Sequence, residues 1–163
     1  MLTIRPLNSD SQDDVADVLR IFIDAPSYTQ LVEGRAPSTE DVDDFFHGTP
    51  DGKSAADKSL FGFYAGSSMI GCADVIRAWP TDDCAWIGLL LFSEARQSQG
   101  YGKEALEMLA ATARRWGCSR MQLAVVSTNA RGFAFWQREG FAEIRRKVNR
   151  RFVGELIVLG RCV

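Results

Sequence analysis

The chain has 163 residues, a length that suits one domain. Hydrophobic residues make up 46% of it and charged residues 25%, as expected of a globular protein with a sizeable core. The net charge of −2 argues against general nucleic-acid binding, which needs a basic face. No apolar stretch approaches the ~20 residues that span a bilayer, and the N-terminus lacks a signal peptide's long apolar region. We therefore expect a cytoplasmic protein with no nucleic-acid or membrane partner.

Cysteine and histidine usage predicts no metal site. The sequence has a single histidine, His47, and its cysteines show no C-x-x-C spacing. Most of these cysteines lie in apolar segments, where a thiol usually packs as a small hydrophobe.

The N-terminal third predicts a strand and two helices. Residues 2–7 alternate in polarity and indicate an edge strand. Ser11 or Asp13 is then expected to cap an amphipathic helix, which Pro26 ends.

Two less regular segments surround the second helix. Residues 28–37 show no clean period, and we interpret them as a loop or a broken helix. Ser38 or Thr39 precedes an acidic first turn, which predicts a short helix. Residues 48–58 are polar and are predicted to form an exposed loop.

The rest of the chain predicts a meander followed by two helix–strand units. Short turns separate three strands over residues 60–65, 69–79 and 84–92. A helix over residues 103–116 then crosses to a strand over 121–126, which the crossover places parallel to the third meander strand. A helix capped by Asn129 and two strands over residues 141–146 and 152–159 complete an α+β arrangement.

The turn between the third meander strand and the long helix reads Gln97-Ser98-Gln99-Gly100-Tyr101-Gly102. Glycines let a backbone turn tightly and approach a ligand closely. The N-terminus of the following helix offers free N–H groups and a positive dipole end, which suit a phosphate. By itself the pattern leaves open a glycine-rich turn with no ligand.

This turn resembles the nucleotide-binding signature of the GNAT superfamily of acyl-coenzyme A N-acyltransferases, Arg/Gln-x-x-Gly-x-Gly/Ala. Gln97, Gly100 and Gly102 match every specified position. A second block of that family is a helix-starting asparagine, then an aromatic residue, then Gly-Phe opening the next strand. Asn129, Trp136 and Gly140-Phe141 take those places in order.

The resemblance implies that residues 1–163 form one GNAT-like acyltransferase domain. Its fold would be a mixed, mostly antiparallel sheet of about six to seven strands, flanked by about four helices, with a splayed parallel pair at the centre. The donor would be acetyl-coenzyme A, without a metal. Backbone amides of the signature turn would hold its pyrophosphate, and the strand before the turn its pantetheine arm. The expected cofactor-binding residues are Leu90, Leu91, Phe92, Gln97, Ser98, Gln99, Gly100, Tyr101, Gly102, Lys103, Asn129, Phe133 and Trp136.

The resemblance also implies a catalytic arrangement. The backbone amide of Leu90 or Leu91 would donate to the thioester oxygen, an effect worth ~3 kcal/mol in measured enzymes. Trp136 stands where many relatives have a tyrosine that protonates the departing thiolate. Either the thiolate therefore leaves unassisted or through water, or another group serves as the acid. Ordered water is the expected base, and Asp74 is the side-chain candidate, with Asp82 and Asp83 as further ones. The simpler interpretation of these aspartates is a solvated surface.

The sequence says least about the site that binds the acceptor substrate. Tyr28, Glu33 and His47 lie where the family shapes its acceptor pocket, and a structural role is equally compatible with them. Acidic residues there indicate either a cationic acceptor or a solvated helix face: Glu33, Asp41, Asp43 and Asp44.

The leading hypothesis is acetyl transfer from acetyl-coenzyme A to a primary amine of a small molecule or peptide, with a homodimer left open. The alternatives are a non-catalytic coenzyme A sensor of the same fold, and an acyltransferase that uses a longer acyl chain or an alcohol.

Overall fold

Seven strands form one sheet in the order β1-β2-β3-β4-β5-β7-β6. The computed structural model describes all of residues 1–163. Strands β4 and β5 pair in parallel and every other pair is antiparallel, which confirms the predicted α+β sheet. The strands are β1 Leu2–Pro6, β2 Lys58–Ala65, β3 Ser68–Arg77, β4 Cys84–Phe92, β5 Arg120–Val126, β6 Ala142–Lys147 and β7 Leu156–Cys162.

Five helices accompany the sheet, one more than predicted. They are α1 Gln12–Ile23, α2 Pro26–Glu33, α3 Thr39–His47, α4 Tyr101–Arg115 and α5 Ala130–Arg138. Of the two expectations for residues 28–37, the loop was wrong for the residues that belong to α2, and the helix breaks off at Gly34. Pro26 starts this helix at a position where a proline costs no hydrogen bond, and Gly34 ends it with a φ of 71°. Both residues therefore delimit a short helix in a segment that the prediction treated as irregular.

The helices cover both faces of the sheet. Leu106 and Leu109 of α4 pack with Ala73 and Val75 of β3 in the main core. Helices α1 and α3 bury Val18, Ile21, Phe45 and other apolar side chains against Cys72, on the opposite face of β3. Successive residues of a strand point to opposite faces, so β3 contributes to both cores.

A β-bulge interrupts β4 near its middle. Asp74 of β3 pairs with Leu89, whereas the next residue, Val75, pairs with Ile87, so Gly88 is the extra residue. The parallel pairing of β4 with β5 also ends at Ile87, opposite Leu123. Bulges bend a strand and often lie beside active sites. Beyond Gly88 the edge of β4 that faces β5 is consequently free, which confirms the predicted splay.

Two strands begin at residues other than those predicted, and both differences affect the lining of the cavity. Strand β2 starts at Lys58, which the sequence pattern places in an exposed loop, and the Lys58 side chain is only 4% exposed. Strand β7 starts at Leu156 rather than at Phe152. The intervening loop packs on α2, where Val153 N donates to Val32 O at 3.0 Å.

Candidate active site

A cavity of about 1110 Å³ lies where β4 and β5 separate. At one end it reaches the turn that begins α4 and the first turns of α5. At the other end it is enclosed by α2, α3, the segment after α3, and the loop between β6 and β7. We call these the donor end and the acceptor end.

The turn at the donor end presents backbone to the cavity. Gly100 adopts a φ of 88°, and a Cβ added there would meet nothing within 4 Å. Open space beside a left-handed glycine at a helix N-terminus suits the close approach of an anion. Gln97 ties this turn to the splayed strand, because its Nε2 donates to Phe92 O at 2.9 Å.

Four cations line the donor end without an ion-pair partner: Arg96, Lys103, Arg131 and Arg138. Arg131 is held in place by a hydrogen bond from Nη2 to Ser98 Oγ of 2.8 Å. Together with the N-terminus of α4, these charges make this end attractive to a polyanion.

Helix α5 forms the wall opposite the turn. Asn129 caps it by accepting a hydrogen bond from Gly132 N at 3.0 Å, and its Nδ2 makes no bond within the chain. Trp136 is buried between Phe135 and Phe141 and also reaches the cavity. The wall is therefore capped by an amide with a free donor and backed by packed aromatic rings.

Most of the residues expected at the donor end line the cavity, and three do not. Gln99 Nε2 bonds to Ala95 O on the outside of the turn. Tyr101 stacks on Phe92, and Phe133 packs against the main core. The side chains of these three residues therefore point away from the cavity, although the backbone of Tyr101 begins α4.

The free edge of β4 connects the two ends. Leu89, Leu90, Leu91 and Phe92 line the cavity along the stretch where β4 has no partner on the β5 side. Unpaired backbone groups at a strand edge are available to an extended ligand. Leu90 and Leu91, the amide donors that the resemblance implies, lie along this stretch.

Asp74 lies at the point where the splay begins. It is buried, with 7% of its surface exposed, so the solvated-surface interpretation was wrong for this residue. A Cβ on Gly88 would come within 2.5 Å of Asp74 Oδ1, so the carboxylate occupies the space that a side chain at the bulge would fill. Asp82 and Asp83 are exposed at the β3–β4 turn and do not line the cavity.

Lys58 holds this carboxylate. Its Nζ lies 2.8 Å from Asp74 Oδ2 and donates to Gly48 O at 2.5 Å and Asp44 O at 3.3 Å, both at the C-terminal end of α3. Burial raises the pKa of Asp74, and the Lys58 charge opposes that rise. The result is a carboxylate whose pKa lies above the ordinary range, facing the cavity.

Most charges that line the acceptor end already have partners, whereas Lys147 has no ion-pair partner. Glu33 lies 2.9 Å from Arg151 and 3.0 Å from Arg35, and Arg151 also reaches Asp44. Asp41 pairs with Arg35 at 2.6 Å. Among the residues predicted for this end, Tyr28 and Glu33 line the cavity and His47 does not.

Sequence reasoning missed Lys58 and Gly88. Nothing in the local pattern singles out a lysine after a polar loop. A glycine inside an otherwise apolar strand is a recognised sign of a bulge or a close approach, and that sign was available at Gly88.

The cavity thus joins a sheet split by a bulge, an anion-attracting turn and a buried carboxylate. The chain belongs to the acetyltransferase (GNAT) family, whose model matches residues 17–141. A mycothiol acetyltransferase of Jonesia denitrificans is 34% identical over 74 residues, which cover 45% of this chain and 24% of that protein. The chain therefore matches about a quarter of the length of this curated relative.

Solved structures share the fold over its whole length. An acetyltransferase of Thermus thermophilus superposes with a TM-score of 0.81 and 27% identity, covering 99% of this chain and 97% of that one. The ribosomal-protein-S18-alanine N-acetyltransferase of Escherichia coli has a TM-score of 0.71 and 18% identity, with 99% and 94% coverage. A GNAT acetyltransferase of Elizabethkingia anophelis, solved with acetyl-CoA bound, has a TM-score of 0.67 and 15% identity, with 99% and 98% coverage. The last two likenesses show the fold alone.

Two kinds of feature are absent from the structure. None of the helices combines the length and apolar character needed to cross a membrane. No group of three or more His, Cys, Asp or Glu side chains is arranged to hold a metal ion.

Proposed function

We propose that this protein transfers an acetyl group from acetyl-coenzyme A to a primary amine of a small molecule or peptide, by direct attack in a ternary complex. The observation that carries the proposal is the continuity of one cavity. It joins an anion-attracting helix N-terminus, a free strand edge and a buried carboxylate in that order.

The donor end fits the shape and charge of coenzyme A. The pyrophosphate would bind the backbone amides between Gln97 and Lys103, where Gly100 leaves open space and three unpaired arginines and a lysine line the cavity. The pantetheine amides would pair with the free edge of β4, from Leu90 to Phe92, and with Asn129 Nδ2. Asn129 Nδ2 has no partner in the chain, and β4 has no strand beside it on that side beyond Ile87.

The chemistry would be carried by β3 and β4. Asp74 would take a proton from the substrate ammonium, and its raised pKa brings it closer to the pH at which a base works best. The amide of Leu90 or Leu91 would stabilise the oxyanion that forms when the amine attacks. Such a donor costs about 10²–10³-fold in kcat when removed from other enzymes.

A coenzyme A sensor without transfer is the alternative function. Trp136 favours it, because an indole N–H is no practical acid for the departing thiolate, and the family tyrosine would stand at that position. The sensor would use the donor end alone and leave Asp74 without a role.

One incubation separates the two functions. Purified protein is mixed with acetyl-coenzyme A and a panel of polyamines, aminoglycosides, amino acids and peptides, while released thiol and acetylated product are measured. Amine-dependent thiol release supports the transferase. Tight binding of acetyl-coenzyme A without release on any amine would establish the sensor instead. Cell fractionation and sedimentation of the same protein would test the expected cytoplasmic location and the homodimer.

A further inference from the structure

Trp136 leaves the departing sulfur without the proton donor that the family resemblance implies. The residues that line the cavity limit which other side chain could donate this proton. No cysteine or histidine lines it, and Lys58 is committed to three oxygen atoms. Of the three tyrosines in the chain, Tyr28, Tyr64 and Tyr101, only Tyr28 lines the cavity.

Tyr28 packs at the junction of two hydrophobic clusters. One includes Leu91 of β4, and the other consists of Val32 of α2, Val126 of β5 and Leu156 of β7. Because β4 and β5 are no longer paired beyond Ile87, these clusters lie on the two sides of the splay, and Tyr28 lines the cavity there. A group bound along the free edge of β4 would share this cavity with the Tyr28 side chain.

The Tyr28 hydroxyl is a proton donor without a partner. It is not among the hydrogen-bonding groups of the chain, nor among the buried atoms that lack one, so it faces the cavity. Burial, and then the carboxylates of Glu33 and Asp74, raise the pKa of Tyr28 well above its ordinary value. The hydroxyl is protonated at neutral pH, as a tyrosine ordinarily is, and the same burial makes a phenolate there short-lived.

We propose that Tyr28, on α2, protonates the coenzyme A sulfur as it leaves, in place of the tyrosine that Trp136 replaces on α5. The inference rests on the proposed function. Asp74 takes the proton from the substrate ammonium, and the amine nitrogen then forms a bond to the acetyl carbon. As the carbon–sulfur bond breaks, its electron pair goes to sulfur, and Tyr28 gives that sulfur its proton. The nitrogen releases its second proton to water as the amide forms, and the proton held by Asp74 returns the phenolate to the hydroxyl, so both residues end as they began.

A change of leaving group tests this role. Tyr28→Phe removes only the hydroxyl, and its kcat with acetyl-coenzyme A should fall about 100-fold with little change in KM, the usual scale for a lost general acid. The selenium analogue of acetyl-coenzyme A releases a far more acidic selenol, which departs without a proton. With that donor the kcat values of the variant and the wild type should differ only marginally.

Tyr64→Phe is the matched control, because Tyr64 lies on β2 outside the cavity and bonds to Arg5. It should leave both donors unaffected, and thermal unfolding should show both variants folded. An equal loss with both donors, or no loss with either, would overturn the role of Tyr28 while the wild-type transfer stands. If the wild type acetylates no amine, the proposed function fails, and the role of Tyr28 fails with it.

Discussion

The two ends of the cavity differ in the kind of chemical group that lines them. The donor end relies on backbone groups and on cations that have no partner: the N-terminus of α4, the edge of β4, and residues such as Arg131. The acceptor end is made mostly of side chains that are already paired, including Lys58 with Asp74 and Arg151 with Glu33. One end is prepared for a polyanion, and the other has largely neutralised its own charges.

The contrast changes what the acidic residues near α2 and α3 indicate. From the sequence they suggested either a cationic acceptor or a solvated face. Glu33 and Asp41 are instead engaged by Arg35 and Arg151, so the acceptor end has little free negative charge. The donor end should therefore be sensitive to backbone geometry and salt, and the acceptor end to the loss of individual partners.

The largest effect should come from the carboxylate at the acceptor end. Asp74→Asn should lower kcat/KM by about 10²–10⁴-fold, the range for a lost general base. In the wild type the acid limb of the pH profile should lie above the ordinary range of an aspartate, because the pKa of Asp74 is raised and the charged form acts as the base. The variant should lose that limb while acetyl-coenzyme A affinity, measured by calorimetry, is kept. A retained acid limb would assign the base to another group.

Removing Lys58, the partner of Asp74, should lower the stability of the fold. Lys58→Met leaves Asp74 buried without a partner, and the free energy of unfolding at neutral pH should fall by about 3–5 kcal/mol. Lys58 opposes the raised pKa of Asp74, so without it that pKa rises further and the carboxylate is neutral over a wider range. The loss should therefore shrink as the pH falls, in urea unfolding measured over a pH series.

The double variant Lys58→Met/Asp74→Asn provides the control for that penalty. It should recover much of the lost stability at neutral pH, because no unpaired charge remains buried. If the loss of unfolding free energy changed neither with pH nor with the second substitution, the effect would instead come from packing at the end of α3.

At the donor end, backbone geometry is the sensitive feature. Gly100→Trp should weaken acetyl-coenzyme A binding by about 100-fold, or about 2.7 kcal/mol. Gly117, just beyond the other end of α4, has a φ of 80° and likewise nothing within 4 Å of an added Cβ. Gly117→Trp therefore carries the same strain away from the cavity and should bind normally in calorimetry. Equal affinities in the two variants would show that the pyrophosphate does not bind at this turn.

The smallest effect should come from a single unpaired cation. Arg131→Gln should reduce acetyl-coenzyme A affinity by about threefold at low ionic strength, and the difference should vanish at high salt, because exposed charges are screened. Arg114→Gln, an exposed arginine in the last turn of α4 and away from the cavity, should have no effect. A salt-independent loss would point to a packing role for Arg131.

Prediction from sequence succeeded where the determinants are local. The strand, the turn from Gln97 to Gly102 and the helix after it follow one another along the chain, so residue types and spacing alone indicate their conformation. Ser11 and Ser38, two of the residues proposed as helix caps, occupy the N-cap positions of α1 and α3. The parallel crossover was also predictable, since a strand–helix–strand unit has one strongly preferred hand.

The acceptor end could not be predicted in the same way, because it depends on contacts between segments that are distant in the sequence. Asp74 is buried because Lys58, which lies on the neighbouring strand, reaches it across the sheet, and because the bulge at Gly88 leaves room for the carboxylate. Tyr28 reaches the cavity because α2 packs against β5 and β7, which come much later in the sequence. Local pattern carries no information about which charges meet in a folded chain. The donor end was therefore determined by consecutive residues, whereas burial and pairing in the tertiary structure decided the acceptor end.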